Sequence, residues 1–117
     1  MEGLLIDVSY SGAEDEIVII TPEGYVDATT VNVLEQKLDE QLAKNKYKFI
    51  VDLKNTGYVN SSGWGALMRD LKEIRDNNGD LVIANMSQEV YIVYDTMELS
   101  SILKSFDTFE EAITHFI

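Results

Sequence analysis

The chain has 117 residues, with nine Lys plus Arg against twenty-one Asp plus Glu and a formal net charge of −12. A chain this acidic is repelled by phosphate backbones and by anionic lipid, so neither nucleic acid nor membrane is expected as a partner. It has no cysteine, which removes disulfides, thiolate zinc sites and a cysteine nucleophile, and its 45% apolar content suffices for one globular domain over 1–117.

No apolar run approaches the ~20 residues of a membrane span. The start, Met1-Glu2-Gly3-Leu4-Leu5-Ile6-Asp7, lacks the basic residues and the long apolar stretch of a secretory signal. A cytoplasmic location is expected.

Leu4 to Tyr10 alternates loosely and reads as a strand. After the polar turn Ser11–Glu16, Ile17-Val18-Ile19-Ile20 is β-branched throughout and apolar on both faces, as in a central strand. Pro22 is expected to end that ladder or to lie at an edge, and Tyr25-Val26 can resume the strand after Gly24. Asp27-Ala28-Thr29-Thr30 then offers helix caps. Behind it Val31, Leu34, Leu38 and Leu42 form one stripe of an amphipathic helix that ends near Lys44-Asn45.

Phe49 to Leu53 is the next buried strand, and Lys54 to Val59 reads as a loop. Asn60-Ser61-Ser62 can cap a second helix, with Trp64, Leu67, Leu71 and Ile74 on one continuous face and Asn77-Asn78-Gly79 as its stop. Leu81 to Ala84 is a third apolar strand. A helix from Gln88 to about Met97 follows, with Val90, Val93, Tyr94 and Met97 inward. Ile102-Leu103 reads as a last short strand. Asp107-Thr108-Phe109-Glu110 has the spacing of a capping box, before a helix with Phe109, Ala112, Ile113 and Phe116 on its apolar face. This order predicts one α/β domain: a mixed, mainly parallel sheet of about five strands, right-handed crossovers and about four helices.

Catalytic constellations are sparse. His115 is the single histidine and is expected on the outer side of the last helix, remote from any serine that it could activate. Asp7, Asp15, Asp52 and Asp107 are scattered and show no calcium-loop spacing. Gly57, Gly63 and Gly65 match neither nucleotide fingerprint, and no Lys-Ser/Thr pair follows them. The chain is therefore not expected to be an enzyme, and no metal or cofactor of its own is expected.

Asn60-Ser61-Ser62-Gly63-Trp64-Gly65 stands apart. It sets two hydroxyls in the first turn of a helix, and each of its glycines costs about 1 kcal/mol there relative to alanine. Close packing of helix on sheet accounts for such glycines. So does a partner that approaches the backbone, and a phosphoryl group on a serine here would sit against free amides and the positive end of the helix dipole.

The chain resembles the STAS domain, and in particular the bacterial anti-sigma factor antagonists. The likeness is carried by Val51-Asp52-Leu53 followed by Tyr58-Val59-Asn60-Ser61-Ser62-Gly63-Trp64-Gly65-Ala66-Leu67. It is supported by Gly24-Tyr25-Val26-Asp27 with Thr29-Thr30, by Leu81 to Ser87, and by Phe106 to Ala112. The resemblance implies partner switching. The unphosphorylated protein binds an anti-sigma factor that is also a serine kinase, the sigma factor is released, and the kinase phosphorylates the second motif serine. That serine is Ser62 here, with Ser61 the alternative, and a serine phosphatase restores the active form. ATP and magnesium belong to the kinase. By position the resemblance assigns Asp27, Thr29, Asn60, Ser61, Ser62, Gly63 and Trp64 to the partner interface, and gives Asn85 a structural role.

Two residues depart from the family pattern. Asn60 stands where the family has Asp: it can cap the helix but cannot help to deprotonate a serine. Trp64 replaces the usual Leu, and is either a core residue in phase with Leu67, Leu71 and Ile74 or an interface anchor. Besides the phosphorylated antagonist, a STAS module that binds without phosphorylation fits the motif. A small nucleotide-binding or catalytic protein of flavodoxin-like shape fits it less well, because the phosphate-loop features are missing.

Overall fold

The computed structural model describes residues 3–117. Its elements are β1 (Leu5–Ser11), β2 (Ile17–Val26), α1 (Val31–Leu42), β3 (Lys48–Asp52), β4 (Thr56–Val59), α2 (Ser61–Met68), α3 (Leu71–Asp76), β5 (Asp80–Ala84), α4 (Gln88–Thr96), β6 (Ser105–Phe106) and α5 (Phe109–His115), with a 3-10 turn at Leu99–Ser101. The sheet runs β1-β2-β3-β5-β6. β1 is antiparallel to β2, and the remaining pairs are parallel.

The central strands are apolar on both faces because both faces are covered. Val18, Ile20, Phe49, Val51, Leu81 and Ile83 point to one side, where Leu34, Leu38, Trp64, Leu67, Leu71, Ile74, Val90 and Tyr94 bring α1 to α4 against them. Ile17, Ile19, Ile50, Val82 and Ala84 point to the other, where α5 packs alone through Ala112, Phe109, Ile113 and Phe116. Burial of this apolar surface is the main term holding the layers together.

Pro22 does not end β2. Its carbonyl accepts from the buried Thr56 Oγ1 at 2.8 Å, on the side away from β1. The nitrogen of a strand residue points the same way as its carbonyl, so the missing N–H removes no bond to β1. The β3 ladder stops at Ile20 and that of β4 begins at Gly24, so Pro22 lies between two partners.

β4 is a strand where a loop was expected. The chain leaves β3 at Asp52, turns through Leu53 to Asn55, and pairs with β2 again at Gly24, Tyr25 and Val26. The ladder shifts between Gly24 and Tyr25, leaving Gly57 against the Tyr25 ring, which comes within 2.7 Å of where a Cβ would stand. The expected single second helix is two. Asp70 leaves helical geometry at φ −108° and ψ 14°, although the apolar face continues through Leu71 and Ile74. Arg69, just before the break, pairs with Asp70 and with Glu35 and Asp39 of α1. Among the described residues these two changes raise the counts to six strands and five helices without altering the architecture.

Smaller corrections fall toward the end of the chain. Met97 is exposed, because the helix has ended at Thr96. The last strand is Ser105–Phe106, where Ile83 and Ala84 supply the partner edge; Ile102 is exposed and Leu103 is core. The capping box is formed by Thr108 and Glu111, one residue later than expected. His115 is only partly exposed, and its Nε2 lies 3.0 Å from Asp80 Oδ2. No helix of the described residues is long and apolar enough to cross a membrane.

Candidate functional site at the start of the second helix

The site is built by the ends of two neighbouring strands. Val26 of β2 is in parallel register with Val59 of β4, and the Asn60 N–H donates to the Val26 carbonyl at 3.0 Å. The segments that follow, Asp27–Thr30 into α1 and Asn60–Ser62 into α2, therefore leave the sheet side by side.

Asn60 caps α2. Its backbone is extended, and its Oδ1 accepts from the Gly63 N–H at 3.2 Å. The Trp64 N–H donates to the Asn60 carbonyl at 3.1 Å and opens the helical ladder. Ser61 and Ser62 are the first two helical residues, and both are exposed. N–H groups at these positions have no acceptor within a helix. The first turn holds no acidic residue, so the positive end of the helix dipole is uncompensated by this segment.

Gly63 and Gly65 differ. A Cβ on Gly63 would lie 2.7 Å from Cγ1 of both Val26 and Val59, so this glycine lets α2 settle on the ends of β2 and β4. Gly65 has nothing within 4 Å of its Cβ position. It lies in the same exposed surface as the two serines, three and four positions on.

Asp27 organises the neighbouring loop. Its Oδ1 accepts from Thr29 Oγ1 at 2.7 Å and from the Thr29 N–H at 2.9 Å. These bonds, the hydroxyl first and then the amide, hold its carboxyl below the ordinary aspartate range. Thr30 Oγ1 accepts from the Asp27 N–H and donates to the Tyr25 carbonyl, so it serves this turn and makes no side-chain cap bond to α1.

The assigned residues separate by exposure. Thr29, Ser61 and Ser62 are exposed, and Asp27 and Asn60 are partly so. Gly63 and Trp64 are buried. Trp64 is 0% exposed, with its ring 5.7 Å from that of Tyr94, and its Nε1 has no hydrogen-bond partner among the described residues. The anchor reading of Trp64 is therefore corrected: it packs under the site and offers no surface to a partner. Asn85 is not at this site. It sits after β5 in a left-handed conformation at φ 60°, and its Nδ2 donates to Oδ1 of the buried Asp52 at 3.1 Å.

Tyr25 and Tyr58 stand beside the site in a pairing that the sequence does not show. They are cross-strand partners, both exposed, with rings edge-on at 6.3 Å on the opposite face of these strands from α2. The signal was the alternation Tyr58-Val59 beside Tyr25-Val26, legible only once β4 is recognised as a strand. Among the described residues no group of three or more His, Asp and Glu is placed to hold a metal.

The model of the STAS domain matches residues 12–112. The chain belongs to the STAS domain family. The anti-sigma F factor antagonist of Paenibacillus polymyxa is 25% identical over 99 residues, covering 84% of this chain and 85% of that protein. An anti-sigma factor antagonist from Mycobacterium paratuberculosis superposes with a TM-score of 0.84 at 17% identity, covering 96% of this chain and 92% of that one. The Bacillus cell fate determinant SpoIIAA in its phosphorylated form superposes with a TM-score of 0.71 at 20% identity, covering 97% and 100%. This STAS domain thus shares the fold of proteins named for antagonism of anti-sigma factors.

Proposed function

We propose that this STAS domain is an anti-sigma factor antagonist whose binding is switched by phosphorylation of Ser62. The observation that carries the reading is the pair of exposed hydroxyls of Ser61 and Ser62 on the open first turn of α2, beside the Asp27–Thr30 loop. Relatives named as antagonists of anti-sigma factors support the partner class. The phosphorylated form in which SpoIIAA has been solved supports the modification.

In this reading the unmodified chain docks through Thr29, Asp27, Asn60, Ser61 and Ser62 on an anti-sigma factor that is also a serine kinase. The kinase supplies ATP and magnesium. Ser62 Oγ attacks the γ-phosphorus, the hydroxyl proton is lost, and ADP leaves. The ester brings up to two negative charges into the docked surface, and the complex separates. A serine phosphatase reverses the step by hydrolysis. The chain is substrate and ligand, not catalyst, and acts in the cytoplasm on transcription without touching DNA.

Asn60 sharpens the electrostatics. A neutral cap adds no negative charge to the first turn, so a phosphate on Ser62 meets the free amides without a capping carboxylate beside it. The same residue favours a second reading, a STAS module that binds constitutively, because Asn60 cannot assist removal of the serine proton.

Capture of the binding kinase from the native cell, followed by mass spectrometry of the Ser61-Ser62 peptide, tests the proposal. Phosphate is expected on Ser62 after incubation with that kinase and ATP. Ser62→Ala should still bind, and Ser62→Asp should bind at least tenfold more weakly. A kinase that binds the chain but modifies neither serine, with Ser62→Asp binding unimpaired, would establish the constitutive module instead.

A further inference from the structure

Among the described residues three strands have a single partner: β1, β4 and β6. β6 is two residues long, and β4 is four residues long with α4 packed beside it. β1 is seven residues long, and among the described residues no strand pairs with its outer side. Proteins guard such edges with charged side chains, proline, a bulge or brevity. Of these β1 has only the charge of Asp7. It contains no proline or lysine, its register with β2 runs unbroken from Leu5 to Ser11, and Asp7 is its one charged residue.

The direction of its free main-chain groups follows from β2. The Pro22 carbonyl accepts from Thr56 Oγ1, and the Gly24 N–H donates to the Asn55 carbonyl, so alternate residues of β2 turn away from β1. Ile6 lies opposite Pro22, Val8 opposite Ile20 and Tyr10 opposite Val18. These are the non-bonded pairs of the β1–β2 ladder, so the N–H and C=O of Ile6, Val8 and Tyr10 point off the sheet.

We propose that this edge joins two copies of the chain, β1 pairing antiparallel with β1 of a second copy about a two-fold axis at Val8. The strand itself argues for a second copy as occupant. Val8 is its middle residue, so this centre pairs the whole strand. Val8 meets Val8, and Ile6 meets Tyr10 of the other copy, as mutually bonded pairs that use the outward groups. Asp7 then faces Ser9 of the other copy in a non-bonded pair, where side chains approach most closely. Both residues are exposed, and the carboxylate can accept from the serine hydroxyl, twice by symmetry. No carboxylate faces another. A centre on Asp7 would instead set two carboxylates together, at a cost. The −12 charge of each copy opposes association at long range, so the dimer tightens as salt rises. The proposal is independent of the serine site.

Sedimentation velocity on the full chain from micromolar to millimolar concentration, with amide hydrogen exchange followed by NMR, tests it. A monomer–dimer equilibrium that strengthens with salt is expected. The Ile6, Val8 and Tyr10 amides should gain protection with concentration, while those of Asp7 and Ser9, already bonded to β2, should not change. Ser9→Lys should tighten the dimer and Ser9→Asp weaken it, each by about tenfold. Thr96→Lys and Thr96→Asp make the same charge changes at the exposed end of α4 and should act far less. A chain that stays monomeric at millimolar concentration overturns the proposal. So does a dimer that leaves those three amides unprotected, or protection that appears only when a different protein is added.

Discussion

Gly63 and Val26 meet so closely that no side chain fits between them: a Cβ on Gly63 would lie 2.7 Å from Val26 Cγ1, and equally close to Val59 Cγ1. Neither valine can retreat, because both are fully packed at the ends of paired strands. Gly63→Ala is therefore expected to destabilise the fold by about 1–3 kcal/mol through overpacking, although alanine favours a helix by about 1 kcal/mol. Gly65→Ala meets nothing within 4 Å and should stabilise by about 0.4–1 kcal/mol. Urea denaturation of the two variants checks the opposite signs. Equal effects would mean that α2 does not rest on these strands as described.

Asn60 and Gly63 are linked by the cap bond at 3.2 Å. Asn60→Ala leaves that amide unpaired and should cost about 1 kcal/mol. Asn60→Asp keeps the acceptor and adds a charge at the helix N-terminus, which should recover the cost and add about 0.3–1 kcal/mol at low salt. Thermal unfolding at two ionic strengths separates the cap from the charge, because only the charge is screened.

How far the sequence could be read depended on how local the cause was. The α1 stripe of Leu34 and Leu38 and the two-faced strands Ile17–Ile20 and Leu81–Ala84 follow from periodicity, which needs no partner to be seen. β4 was not legible, because Thr56-Gly57-Tyr58-Val59 becomes a strand only by pairing with β2 after a shift at Gly24. Pro22 misled for a related reason: its place between two ladders is tertiary information. The break at Asp70 has neither glycine nor proline to mark it. At the candidate site, the motif set Ser61 and Ser62 in the first turn of a helix, and helical phase pointed Trp64 inward. That Asp27 and Asn60 are neighbours required the parallel register of Val26 and Val59.

Trp64 is wholly buried and its Nε1 lacks a partner among the described residues, so the indole contributes packing at the cost of a desolvated donor. Trp64→Phe removes the donor together with part of the ring volume. The two effects oppose each other, and the net loss should stay below about 1.5 kcal/mol. Trp64→Ala leaves a cavity against Tyr94 and should cost about 3–5 kcal/mol. Chemical denaturation measures both. Partner affinity of Trp64→Phe should equal that of the parent, because no part of the ring reaches the surface.

Asp27 makes the Asp27–Thr30 turn sensitive to acid. Its carboxyl is held below the ordinary value of 3.8, first by the Thr29 hydroxyl and then by the Thr29 N–H. The folded state therefore binds fewer protons than the unfolded chain between the depressed value and 3.8. The stabilisation is fully present above the unfolded value and is lost as pH falls through the folded one. Carboxyl NMR titration should place Asp27 below the ordinary value of 3.8, and Thr29→Val, which removes the hydroxyl donor and keeps the amide, should raise it part of the way back. The stability gap between the parent and Asp27→Asn should close over the same acid window and stay constant at neutral pH. An Asp27 that titrates unchanged in Thr29→Val would show that the Thr29 hydroxyl does not anchor the turn, and that the loop beside Ser62 is held by the Thr29 N–H and by Thr30 Oγ1 instead.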